Sequence, residues 1–300
     1  MQRALERELI EELKPRLNVR RRPRIPRTPT ERALLREAKA LYEERVKSAL
    51  LAGLLATNPT AAIDPATGYV TNVRDNLLSG ISLVEIEAEF TDAAGHELES
   101  KMRAPWSSSA LAVNSFAPWR RDAALLTLAG RVGFDARFKF EEACPNEVSP
   151  IAPHLDVVLR RPGEVVAVES KCTEFIQGGD HGPVAAGYKR LADHGDERAP
   201  SRWFAALDHV ERFLLLDGYQ LVKHYLGLRN LDEKQLTLVY LYWEPAKALE
   251  GPGADLFALH RREVAEFARL VEGDETCEFH AFCYLDYWAE LDAIPEQPSW

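Results

Sequence analysis

The chain has 300 residues, with 46% hydrophobic and 28% charged side chains and a formal net charge of −10. That describes an ordinary globular protein with ample length to bury a core. No apolar run approaches the length of a membrane span, and the first residues alternate in charge with no secretory h-region, which implies a cytoplasmic protein.

Leu5, Leu9 and Leu13 predict a short amphipathic helix over Gln2 to Leu13. Residues 14–30 form a basic, proline- and arginine-rich arm containing Arg20, Arg21, Arg22 and Arg24. Between Lys14 and Arg32 eight Lys/Arg face one acid, Glu31, a local charge of +7 that leaves −17 for the remainder. Such an arm can track a nucleic-acid backbone, or serve as a solubilising linker or a contact to the protein's own acidic surface. Thr28-Pro29-Thr30-Glu31 marks a helix start, with a stop before Pro59. Leu34, Leu35, Ala38, Leu41, Leu50 and Leu54 give that helix an apolar stripe for the core or a dimer contact.

Val84, Ile86, Ala88 and Phe90 alternate with Glu85, Glu87 and Glu89, which predicts a β-hairpin turning at Asp92 to Gly95 and returning over His96 to Met102. Its acidic triplet reads as a solvated face. Ser107-Ser108-Ser109 can cap a helix through Phe116, and a second helix is expected over Arg121 to Arg131. Phe134, Ala136, Phe138 and Phe140 alternate as a first core strand.

The most informative stretch follows. Pro153 to Leu159 and Val165 to Lys171 read as two short buried strands around Arg160-Arg161-Pro162-Gly163-Glu164, a turn. Alternation puts Val166, Val168 and Ser170 on one face and Ala167, Glu169 and Lys171 on the other. Asp156 can join Glu169 and Lys171 if the hairpin register allows. Two acids and a lysine on apolar strands are costly to bury unless paired or bound to a cation. Carboxylates suit Mg²⁺, which keeps part of its water shell. The bland alternative is a Glu169–Lys171 pair on a solvated face.

Downstream, Phe175 to Trp203 reads as a long loop carrying Lys189, Arg190 and Arg198, able to meet phosphate or simply to lie on the surface. Arg202 to Leu228 contains a strong helix with Asp217, Gln220 and His224 along one stripe. Leu236 to Trp243 is an apolar, hence central, strand. Phe257 to Val271 is an amphipathic helix, Glu278 to Tyr284 a last strand, and a short helix ends the pattern at Leu291. Cys144, Cys172, Cys277 and Cys283 show no CxxC pairing, and alternation sets His280 opposite Cys277 and Cys283, which leaves core packing. No G-x-S-x-G elbow, Walker loop or G-x-G-x-x-G is present, so an ATP-driven machine would need a partner subunit.

The run PHLDVVL…VVAVESK resembles the PD-(D/E)xK nuclease superfamily, the restriction-endonuclease-like phosphodiesterases, over roughly Phe134 to Tyr284. Asp156 takes the first acidic place and Glu169-Ser170-Lys171 the acid-x-Lys place, although Pro153 stands three residues before the Asp rather than beside it. GHELESK…SSSALAVN looks like the upstream part of an uncharacterised bacterial branch of these nucleases. The resemblance implies an α/β fold, a restriction-endonuclease-like core with a mixed sheet flanked by helices. An N-terminal helical region (residues 1–58) and a β-hairpin would precede it, residues 59–300 would form the nuclease domain, and the catalytic core would span about 119–291. It implies a Mg²⁺-dependent nuclease acting on nucleic acid, DNA first, with Mn²⁺ able to substitute. Asp156, Glu169 and Lys171 would be catalytic, Asp156 and Glu169 the metal ligands helped by the Ser170 carbonyl, and Glu97 and Gln220 active-site support. A homodimer or partner subunit is compatible with it. The competing expectation is a catalytically silent module on the same fold that binds nucleic acid or protein.

Overall fold

The structure is a computed structural model that describes residues 29–92, 100–146, 148, 152–178, 187, 201–231, 233–246 and 254–294. The predicted helix over 2–13, the arginines Arg20, Arg21, Arg22 and Arg24, the support residue Glu97 and the loop cations Lys189, Arg190 and Arg198 all lie outside the described residues.

The centre is a five-stranded mixed sheet in the order β1-β2-β3-β4-β5. Its strands are β1 (Lys139–Ala143), β2 (His154–Arg161), β3 (Glu164–Lys171), β4 (Gln235–Tyr242) and β5 (Cys277–Cys283). β1, β2 and β3 form an antiparallel meander, and β4 and β5 add in parallel. Pro162-Gly163 makes the tight β2–β3 turn, where Gly163 takes φ +76°, a value that L side chains disfavour. β3 and β4 are buried along almost their whole length, as expected of central strands with helices on both faces.

One sheet face, with Val158, Ala167, Leu238 and Tyr240, packs under α1 (Pro29–Thr57), α4 (Glu174–Gln177), α5 (Arg202–Val210), α6 (Gly218–Leu228) and α7 (Ala254–Val271). The other face, with Val157, Val166, Val168 and Leu241, packs under α2 (Leu83–Asp92), α3 (Ser108–Phe116) and α8 (Tyr284–Asp292). The alternation read in β3 therefore holds. In β5, Cys277, Phe279, Ala281 and Cys283 pack on the first core, while His280 stacks on Phe282.

Several expectations need correction. The stretch expected as a β-hairpin begins as helix α2: Ile86 and Phe90, one turn apart, are buried, while Val84 is 77% exposed. Its acidic triplet is not all solvated, because Glu89 pairs with Arg120 and accepts the Phe140 N–H at 2.6 Å. The helix expected over Arg121 to Arg131 is absent. A short 3₁₀ turn, Ala117–Arg120, leads into irregular chain that reverses at Ala129 (φ 51°) and Gly130 (φ 73°), burying Ala123, Leu126 and Leu128 without helical backbone. The first core strand begins at Lys139, so Phe134 and Phe138 are buried from the approach to it. Among the described side chains of α1 the buried positions are Lys39, Tyr42 and Val46; of the expected stripe Leu50 packs against that core, Leu41 is 40% exposed, and the side chains of Leu34 and Leu35 lie outside the described ones.

The helix expected within Arg202 to Leu228 is two helices. Ser201 caps α5 by accepting the Trp203 N–H, and Asp217 caps α6 by accepting the Gln220 N–H. Between them the buried Glu263 carboxylate accepts the N–H groups of Leu214, Leu215 and Leu216 at 2.8, 2.9 and 2.9 Å. That carboxylate replaces the helical hydrogen bonds these amides would otherwise need. The break sets the direction of α6. Gly227 then lets α6 lie close to the start of the meander, since a Cβ there would stand 2.5 Å from the Cys144 carbonyl oxygen.

Candidate active site

Strands β2 and β3 pair from Arg161↔Glu164 to Val157↔Val168, and there the ladder stops. Asp156 is the next residue of β2 beyond that end. Where the ladder ends, the Asp156 carboxylate substitutes for a main-chain acceptor, taking the Ser170 N–H on Oδ2 at 2.6 Å. Glu169 lies at the bottom, 3% exposed, while the Lys171 side chain reaches outward with 16% exposure and Asp156 is half-buried. Lys171 Nζ stands 2.5 Å from Glu169 Oε1. The expected Asp156, Glu169 and Lys171 thus share one place in the fold.

Their electrostatics differ. Burial alone would push Glu169 up, but the Lys171 ammonium and His224 hold its carboxyl down at about 2. Asp156 is driven well above the ordinary carboxylate range by desolvation and then by the Glu169 and Glu141 charges, despite the partial exposure of its side chain. Desolvation opposes the charge on Lys171, yet the surrounding Glu169, Glu174 and Asp156 carboxylates outweigh it and raise the ammonium's pKa. The fixed state is a charged Glu169–Lys171 pair beside an acid short of positive charge.

Sequence reasoning passed over two neighbours. His224, on α6, is 2% exposed and brings Nε2 to 2.8 Å from Glu169 Oε2. The distance is that of a hydrogen bond but the angle is poor, and Nδ1 has no partner among the described residues. Its signal was visible as the last residue of the Asp217–Gln220–His224 stripe. Gln220, the residue expected to support the site, is half-buried one turn before His224, and no hydrogen bond or ion pair joins its side chain to Asp156, Glu169 or Lys171. The second neighbour is Glu141. Phe140↔Val157 and Glu142↔Leu155 bracket it, so its register place is opposite Asp156, and it takes φ 48°. Counting register along an acidic strand would have found it.

On the reverse face of β3, Ser170 Oγ meets Tyr284 OH at 2.7 Å and donates to the Ser108 carbonyl at 3.0 Å, which locks the strand against α3 and α8. Cys172, next to Lys171, is buried, and desolvation drives its thiol pKa well up, so it is no nucleophile. Among the described residues no three His, Cys, Asp or Glu side chains gather into a ready cation cage. The cluster offers a pair of carboxylates, and a hard cation bound there would complete its shell with water.

A family described as "Restriction Endonuclease associating with ARP" matches residues 62–289. The chain belongs to that family. The matched span contains the whole sheet, Asp156, Glu169, Lys171 and His224, and leaves the arginine-rich arm and all of α1 outside. No curated protein matches the chain. No solved structure matches it. Among the described residues no helix of this family member is long and apolar enough to cross a membrane.

Proposed function

We propose that the chain is a Mg²⁺-dependent nuclease with a restriction-endonuclease-like, PD-(D/E)xK core that hydrolyses phosphodiester bonds of nucleic acid, DNA first. The observation that carries this reading is the convergence of Asp156, Glu169 and Lys171 where the β2–β3 ladder ends. The donor set fits the cation. Asp156 and Glu169 offer hard oxygen ligands, and the like charges crowding Asp156 are what a divalent ion would relieve. Asp156 and Glu169 would hold it, with help from the Ser170 carbonyl. When bound, such an ion polarises a phosphoryl oxygen and lowers the pKa of a bound water.

The protein's own groups account for the rest. The Ser170 N–H fixes the Asp156 carboxylate through Oδ2. Lys171 stays protonated among carboxylates, so it stabilises growing negative charge and orients the attacking water rather than removing its proton. Leaving Glu169 for the substrate is its one required movement. The association named in the family's description supports a companion protein, ARP, working beside this chain.

The test is cleavage of plasmid DNA, linear DNA and RNA with Mg²⁺, Mn²⁺ or EDTA. Metal-dependent cleavage that Asp156→Asn abolishes supports the proposal. Binding of nucleic acid with no cleavage of any substrate would move the reading to a silent binding module.

A further inference from the structure

Glu169 has two carboxylate oxygens and almost no access to water. Lys171 occupies Oε1 at 2.5 Å, and His224 Nε2 faces Oε2 at 2.8 Å. If Lys171 turns to substrate, the His224 contact at Oε2 is the one of this pair that Glu169 keeps. A buried carboxylate without a partner is costly and free to turn away.

We propose that His224 is the positioning residue that keeps the Glu169 carboxylate aimed into the site once Lys171 releases it. The inference rests on Asp156 and Glu169 being the cation-holding pair.

Three observations support it. First, the imidazole cannot retreat. α6 is capped by Asp217, held close to Cys144 through Gly227, and anchored by the buried Leu221, Val222 and Tyr225. Second, a carboxylate only accepts, so the nitrogen facing it must be the donor, and Nε2 is that nitrogen. Third, with Lys171 on Oε1, Nε2 meets Oε2 at 2.8 Å only in poor alignment, and Nδ1 has no partner among the described residues. Buried polar groups are rarely left so, and those that are call for an explanation. The terminal torsion of a glutamate is broad, so a turn of the Glu169 carboxylate toward His224 satisfies the Nε2 N–H as it frees Oε1 from Lys171. Both groups stand against Glu169 together, on different oxygens, so His224 stays in place at Oε2 when Lys171 leaves Oε1.

The experiment titrates the full chain with MnCl₂ by calorimetry, in the absence of nucleic acid, with thermal melts in EDTA alongside. The amide nitrogen of His224→Gln falls near the Nε2 place, whereas that of His224→Asn falls near Nδ1 and His224→Leu has no donor. The Gln variant should bind Mn²⁺ close to wild type, and the Asn and Leu variants about 10–100-fold more weakly, the usual cost of losing a group that orients a metal ligand. A purely structural histidine would lower the melts without separating Gln from Asn. Mn²⁺ affinity in the Asn variant equal to that of wild type overturns the inference. Absence of Mn²⁺ binding by wild type itself would instead defeat the metal reading beneath it. Should the Leu variant fail to fold, the Gln and Asn pair decides the question.

Discussion

Lys171→Met removes the ammonium and keeps most of the side chain's volume. Against its desolvation, Glu169 is drawn from 4.5 to about 2 by Lys171, the larger partner, and His224, a net displacement corresponding to about 3 kcal/mol. Breaking a buried pair by deleting one partner costs roughly 3–5 kcal/mol when nothing else compensates. Here His224 remains and Lys171 is partly exposed, so the loss should be about 2 kcal/mol. For a chain of this size that lowers Tm by about 4 °C. Cleavage should fall by about 10²-fold or more, as expected when a donor that stabilises transition-state charge is removed. Asp156→Asn should separate the two effects. Its amide oxygen can still accept the Ser170 N–H, while the like charge beside Glu169 and Glu141 is gone, so the metal-free protein should melt at or above wild type and yet not cleave. The assay is cleavage of supercoiled plasmid with Mg²⁺ beside calorimetric melts in EDTA. Unchanged melting and full cleavage by Lys171→Met would overturn both roles given to the ammonium.

Gln220→Ala should leave the melt unchanged and lower turnover by roughly ten- to a hundredfold if the amide orients substrate, and wild-type turnover would assign it to solvent. Deleting residues 1–27 should weaken nucleic-acid binding and flatten the plot of log affinity against log salt by about one unit for each phosphate the arm neutralises, so an unchanged slope would clear the arginine arm of that role. Asp274 joins α5 to β5 by accepting Ser201 Oγ, the Arg202 N–H and the Thr276 N–H, and Asp274→Ala should cost about 1–3 kcal/mol at neutral pH. Because these bonds hold Asp274 below its ordinary range, its contribution is full above the unfolded carboxylate pKa of about 4 and fades as pH falls through the folded value, so wild type and variant should converge in acid denaturation; a gap that persists to low pH would contradict this.

The β2–β3 hairpin, the central β4 and the shared face of Glu169 and Lys171 were legible because period-two alternation and a Pro-Gly turn act locally. Ile86 and Phe90 misled because a spacing of four satisfies both a strand and a helix turn, and the distant contacts of Glu89 with Arg120 and the Phe140 N–H help fix the helix in place. The break between α5 and α6 depends on Glu263, some fifty residues downstream, so no local pattern announces it. His224 was hidden for a similar reason. Its stripe could be seen, but which member meets Glu169 depends on how α6 crosses the sheet. Glu141 became visible only once register was assigned.

Anomalous diffraction from crystals soaked in Mn²⁺ would test the metal site most directly. A manganese peak is expected within about 2.0–2.6 Å of oxygens of both Asp156 and Glu169, the range for hard cations on carboxylates, with Lys171 Nζ withdrawn from Oε1. Crystals with no peak there, while the same protein cleaves DNA undiminished in EDTA, would contradict a metal-dependent nuclease built on these residues.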